Sequence, residues 1–251
     1  MVRGVEKFKE YFRDYTGQYT FIGGTACDII LGNLGEEFRA TKDLDMVLIL
    51  EELSEAFANT FINFVEDGGY EHIDKGTGEN QFFRFTKPQD KAFPYMIEIF
   101  SKRPNYMTTF ATRLGPIHIS DDVVSLSAIL LDDEYYELLK SGIVEVGEVS
   151  VLDLVHILLF KVKAWLDLSE RKEKGEHIDS KNIKKHKNDI LRLGASLEKG
   201  STFSVAGRVR EDVEIFINKI EKEPIDPRSL DIRNATFDEI LDSIKICYGI
   251  E

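Results

Sequence analysis

Two glycines and two aspartates carry the chemistry of this chain. Phe21-Ile22-Gly23-Gly24-Thr25 is an apolar run turning through paired glycines, and Asp43-Leu44-Asp45-Met46 follows one helical stretch later. Side chains of a strand alternate between faces, so Asp43 and Asp45 share one. Two carboxylates side by side repel, and a hard divalent cation such as Mg²⁺, which prefers oxygen ligands, relieves that repulsion. Glycines at a helix start let backbone N–H groups come close to a phosphate. These are the parts needed for phosphoryl or nucleotidyl transfer. The rival reading, two incidental acids on a solvated strand, does not explain why the glycine turn precedes them and an apolar run follows.

The surrounding elements are predicted from apolar spacing. Val5, Phe8, Tyr11 and Phe12 mark a first helix, and Tyr19–Ile22 a short strand that delivers the glycine turn. Thr25 is expected to N-cap the next helix, through Ala26, Ile29, Ile30 and Leu31. Asp43–Leu50 is the carboxylate strand, and Leu53–Val65 an amphipathic helix ended by Gly68-Gly69. Strands follow at Tyr70–Ile73, Gln81–Phe85 and Tyr95–Phe100, then apolar segments at Ile117–Ile119, Val123–Leu131 and Ile143–Val149, with a short helix at Asp133–Lys140. Beyond Ser150 only helical patterns remain: Val151–Leu168, Ser180–Leu197, Val205–Glu221 and Thr236–Cys247. The expected fold class is therefore α+β, with a mixed-sheet domain over residues 1–149 and a helical domain over residues 150–251.

Composition narrows the function classes. The chain has 251 residues, 43% of them apolar, enough to build substantial cores. A net charge of −13 argues against a general nucleic-acid coat, but not against a nucleic acid held on a local basic patch. Cys27 and Cys247 form no disulfide framework, and the scattered histidines lack zinc-ligand spacing. The first residues lack the apolar core of a signal peptide, and no apolar run reaches membrane length. A cytoplasmic protein without membrane contact is expected.

The glycine turn followed by Asp-apolar-Asp resembles the nucleotidyltransferase superfamily, with its polymerase-β-like mixed-sheet domain. Arg39-Ala40-Thr41-Lys42-Asp43-Leu44-Asp45 is similar to an element of the AbiEii/AbiGii toxin branch, the enzymatic half of bacterial type IV toxin–antitoxin systems. The superfamily adds a third acid on a later strand. Its best match is Glu98, between Ile97 and Ile99, although an acid in such an apolar pattern could instead pair with a core cation such as Arg84. The resemblance implies two Mg²⁺ ions, with Mn²⁺ as a possible substitute, held by Asp43, Asp45 and Glu98. It implies NTP bound by Gly23, Gly24 and Thr25, with Arg39 and Lys42 offsetting phosphate charge or lying as plain surface cations.

In the helical part, Phe160-Lys161-Val162-Lys163-Ala164 and His186-Lys187-Asn188-Asp189 resemble two further elements of that branch, which place Lys161 and Asp189 at the nucleotide. Lys181, Lys185, Asp189 and Arg192 follow steps of four, four and three, hence one helix face, with Lys184 beside them. This basic stripe is either a solvated face or a contact for acceptor RNA. Asp28 is either functional or a helix-side acid, and the stretch from Asp132 to Tyr136 resembles the branch without supplying a physical role of its own.

The implied activity is transfer of NMP from an NTP to an acceptor hydroxyl, on a tRNA 3′ end or a protein, with a cognate antitoxin as partner. Rival readings are a CCA-adding enzyme, against which Cys27 stands where that family has arginine, an antibiotic nucleotidyltransferase, and a non-catalytic NTP-binding protein.

Overall fold

The computed structural model describes residues 2–49, 51–72, 82–102, 129–130 and 132–250. The predicted segments Ile117–Ile119 and most of Val123–Leu131, as well as Ile73 and Gln81, lie outside the described residues. The chain divides into two compact units. The first comprises Met1–Leu131 with Tyr136–Asp153, the second Asp132–Tyr135 with Leu154–Glu251.

The first unit is built on a mixed sheet. Its elements are α1 (Val5–Phe12), β1 (Tyr19–Phe21), α2 (Gly23–Asn33), β2 (Asp43–Leu48), α3 (Glu55–Gly68), β3 (Glu71–His72), β4 (Phe82–Thr86), β5 (Met96–Phe100), β6 (Ile143–Val146) and β7 (Val149–Leu152). Helix α4 (Asp133–Ser141) precedes β6 and has its first residues in the second unit. The strands lie in the order β3-β4-β5-β2-β1-β7-β6. β2 runs parallel to β5 and β1 parallel to β7, and the remaining pairs are antiparallel. The molecule is thus α+β, as its mixture of period-2 and period-3.6 patterns predicts.

An aromatic cluster closes one face of this sheet. Phe8 stacks on Phe12 with ring centroids 4.1 Å apart, Phe64 lies 4.8 Å from Phe93, and Phe61 lies 5.6 Å from Phe85 of β4. Such pairs add roughly 0.5–1.5 kcal/mol each beyond simple area burial. Helix α3 is started by Ser54, whose hydroxyl accepts the Phe57 N–H at 3.1 Å.

Two local expectations are corrected. Val149–Leu152 pairs with β6 as a strand instead of opening the long helix. Gly147 and Glu148 both have positive φ (55° and 66°), the two-residue turn that matches strand twist, and a β-branched run follows it. Thr25 does not cap α2: the helix starts at Gly23, with Ile22 at the cap position and no side-chain cap bond.

The second unit is helical: α5 (Leu154–Glu173), α6 (Ser180–Ala195), α7 (Gly207–Ile220), a 3₁₀ turn at Pro227–Leu230, and α8 (Phe237–Tyr248). α5 packs on α6 and α7, and α6 on α8. Asp179 caps α6 through the Lys181 N–H, and Thr236 with Glu239 forms a reciprocal capping box on α8. No helix among the described residues is long and apolar enough to cross a membrane.

Candidate functional site

Strand pairing assembles the acidic residues. β1 and β2 continue their ladder past Phe21, so the Ile22 N–H donates to the Asp45 carbonyl at 3.0 Å. The chain then turns into α2 at Gly23, in the left-handed region with φ 62°. A Cβ on Gly23 would lie 2.2 Å from Asp45 Oδ2, so only glycine fits there. Gly24 is also hemmed in, though less tightly: a Cβ would lie 2.7 Å from Thr41 Oγ1. The Asp45 carboxylate therefore sits against the N-terminus of α2. The first N–H groups of a helix lack intrahelical acceptors, and the helix dipole favours negative charge there.

Thr25 is placed differently from the sequence expectation. It is fully buried, and its hydroxyl donates to the Asp43 carbonyl at 2.5 Å. Its side chain thus fastens α2 to the start of β2, which fixes where Asp43 stands. A hydroxyl spent on the strand backbone positions a carboxylate; it is not the phosphate contact that the resemblance implies.

β2 and β5 run parallel with Asp43 opposite Met96 and Asp45 opposite Glu98. Asp43, Asp45 and Glu98 consequently share one face, with Asp45 and Glu98 on adjacent strands about 4.8 Å apart. Arg84 of β4 stands opposite Glu98 on the other side. Its Nε donates to Glu98 Oε1 at 2.6 Å, and its Nη2 engages the same oxygen. The core pairing weighed for Glu98 is thus present. Glu98 is 8% exposed, whereas Asp43 and Asp45 are half-buried. Burial, and after it the Asp45 charge, pushes the Glu98 carboxyl up to about 8, against the opposing pull of Arg84.

The donor set has the chemistry of a hard-cation site, since every candidate ligand is a carboxylate oxygen and Asp43 and Asp45 share a half-buried face. Among the described residues, no three His, Cys, Asp or Glu side chains are gathered tightly enough to ligate one ion as they stand. Glu98 is drawn toward Arg84, and the pair Asp43 and Asp45 is what fits a cation.

The flanking cations each lie over an aromatic ring. Lys42 alternates with Asp43 along the chain, and its Nζ lies 5.9 Å over the ring of the exposed Tyr95, which in turn precedes Met96. The Arg39 guanidinium lies 5.2 Å over the Phe38 ring. A groove of about 690 Å³ runs along α2, lined by Asp28, Ile29, Glu36, Glu37, Phe38 and Thr41 among others. Thr41 joins it to the glycine turn through Gly24.

In the second unit Lys161 and Asp189 come together, 28 residues apart in sequence. Lys161 Nζ donates to Asp189 Oδ2 at 3.0 Å, with Lys161 5% exposed and Asp189 fully buried, and Arg192 Nη1 stands 3.8 Å from Oδ1. The predicted basic stripe is corrected accordingly. Lys181 and Lys184 are exposed and Lys185 and Arg192 half-buried, but the stripe turns inward at Asp189 because α5 supplies a lysine for it.

The Asp132–Tyr135 segment acquires a role that sequence spacing did not suggest. Glu134 Oε2 accepts the Arg208 N–H at 2.9 Å, at the start of α7, and Asp132 Oδ2 pairs with the Arg208 guanidinium at 2.8 Å. The Tyr135 hydroxyl donates to Asp212 Oδ2 at 2.8 Å, and the same oxygen takes Lys163 Nζ at 2.7 Å. Burial, then the Asp212 charge, raises the Tyr135 phenol well above its ordinary value, so it remains a donor. The signal for this cluster was Lys163, set between the apolar residues Val162 and Ala164.

With this geometry in view, the sequence was compared with known protein families and with curated proteins, and it matches none.

Proposed function

We propose that the chain is a Mg²⁺-dependent nucleotidyltransferase, transferring NMP from an NTP to an acceptor hydroxyl. The observation that carries this reading is the Asp45–Glu98 register beneath Gly23: a glycine-started helix and clustered carboxylates meet at one point of the sheet. Negative phosphate oxygens would be received by N–H groups at the Gly23-Gly24 start of α2. Asp43 and Asp45 would hold the divalent ion, and Thr25 and the Ile22–Asp45 bond keep those two carboxylates in place. When bound, the ion supplies charge neutralisation at the transferring phosphate and lowers the pKa of an oxygen it touches. In the transfer, the acceptor oxygen forms a bond to the α-phosphorus, the α–β bridging bond breaks, pyrophosphate leaves, and the acceptor gives up its proton.

The resemblance to the AbiEii branch supports a toxin of a toxin–antitoxin pair, acting on a tRNA 3′ end or a protein hydroxyl, in the cytoplasm. Lys161 and Asp189 match elements of that branch, and their ion pair gives them a common orientation within the helical unit.

The test is label transfer from each α-³²P-labelled NTP with Mg²⁺ or Mn²⁺, using total tRNA or cell lysate as acceptor and Asp43→Ala/Asp45→Ala as control. Label on RNA or protein with the wild type alone supports the proposal and names donor and acceptor class. Label on neither, together with no Mg²⁺-dependent stabilisation by NTP, overturns it in favour of a non-catalytic protein.

A further inference from the structure

We infer that Tyr95 and Lys42 receive the acceptor, and that the acceptor is a single-stranded RNA end: the Tyr95 ring stacks on a base, and Lys42 meets a phosphate of the same strand. This rests on the nucleotidyltransferase reading and deepens it, because it selects RNA over a protein hydroxyl.

Strand order gives the reason. The sheet places β2 between β1 and β5, so the carboxylate strand has the glycine turn on one side and the entry of β5 on the other. The donor's phosphates belong at the glycine turn. In phosphoryl transfer the attacking and leaving oxygens stand roughly in line. Pyrophosphate leaving on the β1 side therefore requires the acceptor hydroxyl to approach from the β5 side. Met96 opens β5 and stands opposite Asp43, and Tyr95 is the residue before it.

Tyr95 suits that position. Among the described residues it is the one exposed Phe, Tyr or Trp, at 43%. A lone exposed tyrosine is ordinary, and it is the footing and the company of this ring that mark it. Its carbonyl accepts the Lys87 N–H at 3.2 Å, and the Pro94 carbonyl before it accepts the Tyr70 hydroxyl at 2.7 Å. The backbone is pinned while the ring stays open, so little freedom is lost when a base stacks on it. The exposed Lys42 holds its Nζ 5.9 Å over the ring. Lys87 adds a second cation beside it, paired at the surface with Glu71 at 3.0 Å, an exposed contact of little worth. An open ring with cations at its edge is the combination that holds single strands without reading their sequence. A protein hydroxyl brings neither a base for the ring nor a phosphate for the lysines. The chain's net charge of −13 fits this arrangement, since RNA is admitted at a local cationic point and repelled elsewhere.

The test is binding of a fluorescein-labelled single-stranded oligoribonucleotide with a free 3′ hydroxyl to the full chain at low salt, read by fluorescence anisotropy. Tyr95→Ala is expected to weaken binding about tenfold, and Tyr95→Phe, which keeps the ring, to change it by less than about twofold. Lys42→Gln is expected to reduce the slope of log affinity against log salt by about 0.7, the loss of one phosphate contact. Thermal stabilisation by Mg²⁺ with NTP reports the donor site independently. Failure of the wild type to bind the oligonucleotide, or equal binding by wild type and Tyr95→Ala, overturns the inference. The nucleotidyltransferase reading survives either result as long as that stabilisation persists. Loss of the stabilisation in Tyr95→Ala, with oligonucleotide binding retained, assigns the ring to the donor's base and also overturns the inference. Absence of the stabilisation from the wild type overturns the nucleotidyltransferase reading and the inference with it.

Discussion

Thr25 and Asp43 are joined by a hydrogen bond of 2.5 Å from hydroxyl to backbone carbonyl, which ties the glycine helix to the strand that carries the carboxylates. Helix and strand are thereby held at one distance, and the N–H groups of Gly23 and Gly24 keep a fixed relation to Asp43 and Asp45. Thr25→Val removes the donor of that bond from a fully buried side chain. The expected loss is roughly 1–2 kcal/mol, seen as a fall in melting temperature of several degrees. Thr25→Ser should restore most of it. Differential scanning calorimetry checks the first effect, and label transfer should fall in parallel.

Gly23→Ala should be more damaging to binding than to folding. The new Cβ would lie 2.2 Å from Asp45 Oδ2, and the residue has φ 62°. The backbone conformation alone costs about 1–2 kcal/mol. The larger consequence is that Asp45 must move off the helix start. Stabilisation of the protein by Mg²⁺ with NTP, read by thermal shift, is expected to vanish while the unliganded protein stays folded.

The sequence made part of this site legible and hid part of it. Strand period two placed Asp43 and Asp45 on one face, and an acid flanked by isoleucines had to find a cation, which is Arg84. The same alternation puts Lys42 out of step with Asp43, yet adjacency in sequence suggested a shared role. Asp189 was read as part of a basic stripe, either solvated or an RNA contact, because Lys185 and Arg192 lie four residues before and three after it. What buries it is Lys161, supplied by another helix 28 residues away, and no spacing rule within α6 contains that information. Thr25 was expected at a cap because threonine favours caps, but two glycines had already begun the helix.

The contribution of Glu98 to the stability of the metal-free protein should fall as pH rises. The Glu98 carboxyl is pushed up to about 8 in the folded state, above the ordinary 4.5, chiefly by burial and then by Asp45. The folded protein therefore holds this proton more tightly than the unfolded chain. The associated stability is fully present below pH 4.5 and is lost as pH climbs toward 8. Urea denaturation at pH 5, 6.5 and 8 should show that decline, and Glu98→Gln should flatten it. Saturating Mg²⁺ should also flatten it, because an ion on Asp45 removes the charge that opposes ionisation of Glu98.

Breaking the Lys161–Asp189 pair should expose how much of its worth is compensation. Lys161→Met takes from a fully buried carboxylate the ammonium that bonds it at 3.0 Å, and a loss of about 3–5 kcal/mol is expected. The double change Lys161→Met/Asp189→Leu should recover most of that loss. Denaturant titrations of the three proteins complete the cycle. If the pair also serves nucleotide binding, the double variant will be stable yet show no NTP-dependent thermal shift.

The short segment Asp132–Tyr135 makes the helical unit discontinuous along the gene. A polypeptide starting at Leu154 would contain every helix from α5 onward and still lack the phenol that bonds Asp212 and the acids that hold Arg208. A single cut therefore cannot liberate this unit intact, and recombination that exchanged residues 154–250 alone would leave Asp212 with Lys163 but without the Tyr135 phenol, and Arg208 without Asp132 and Glu134. The unit thus depends on a tetrapeptide encoded before β6 and β7.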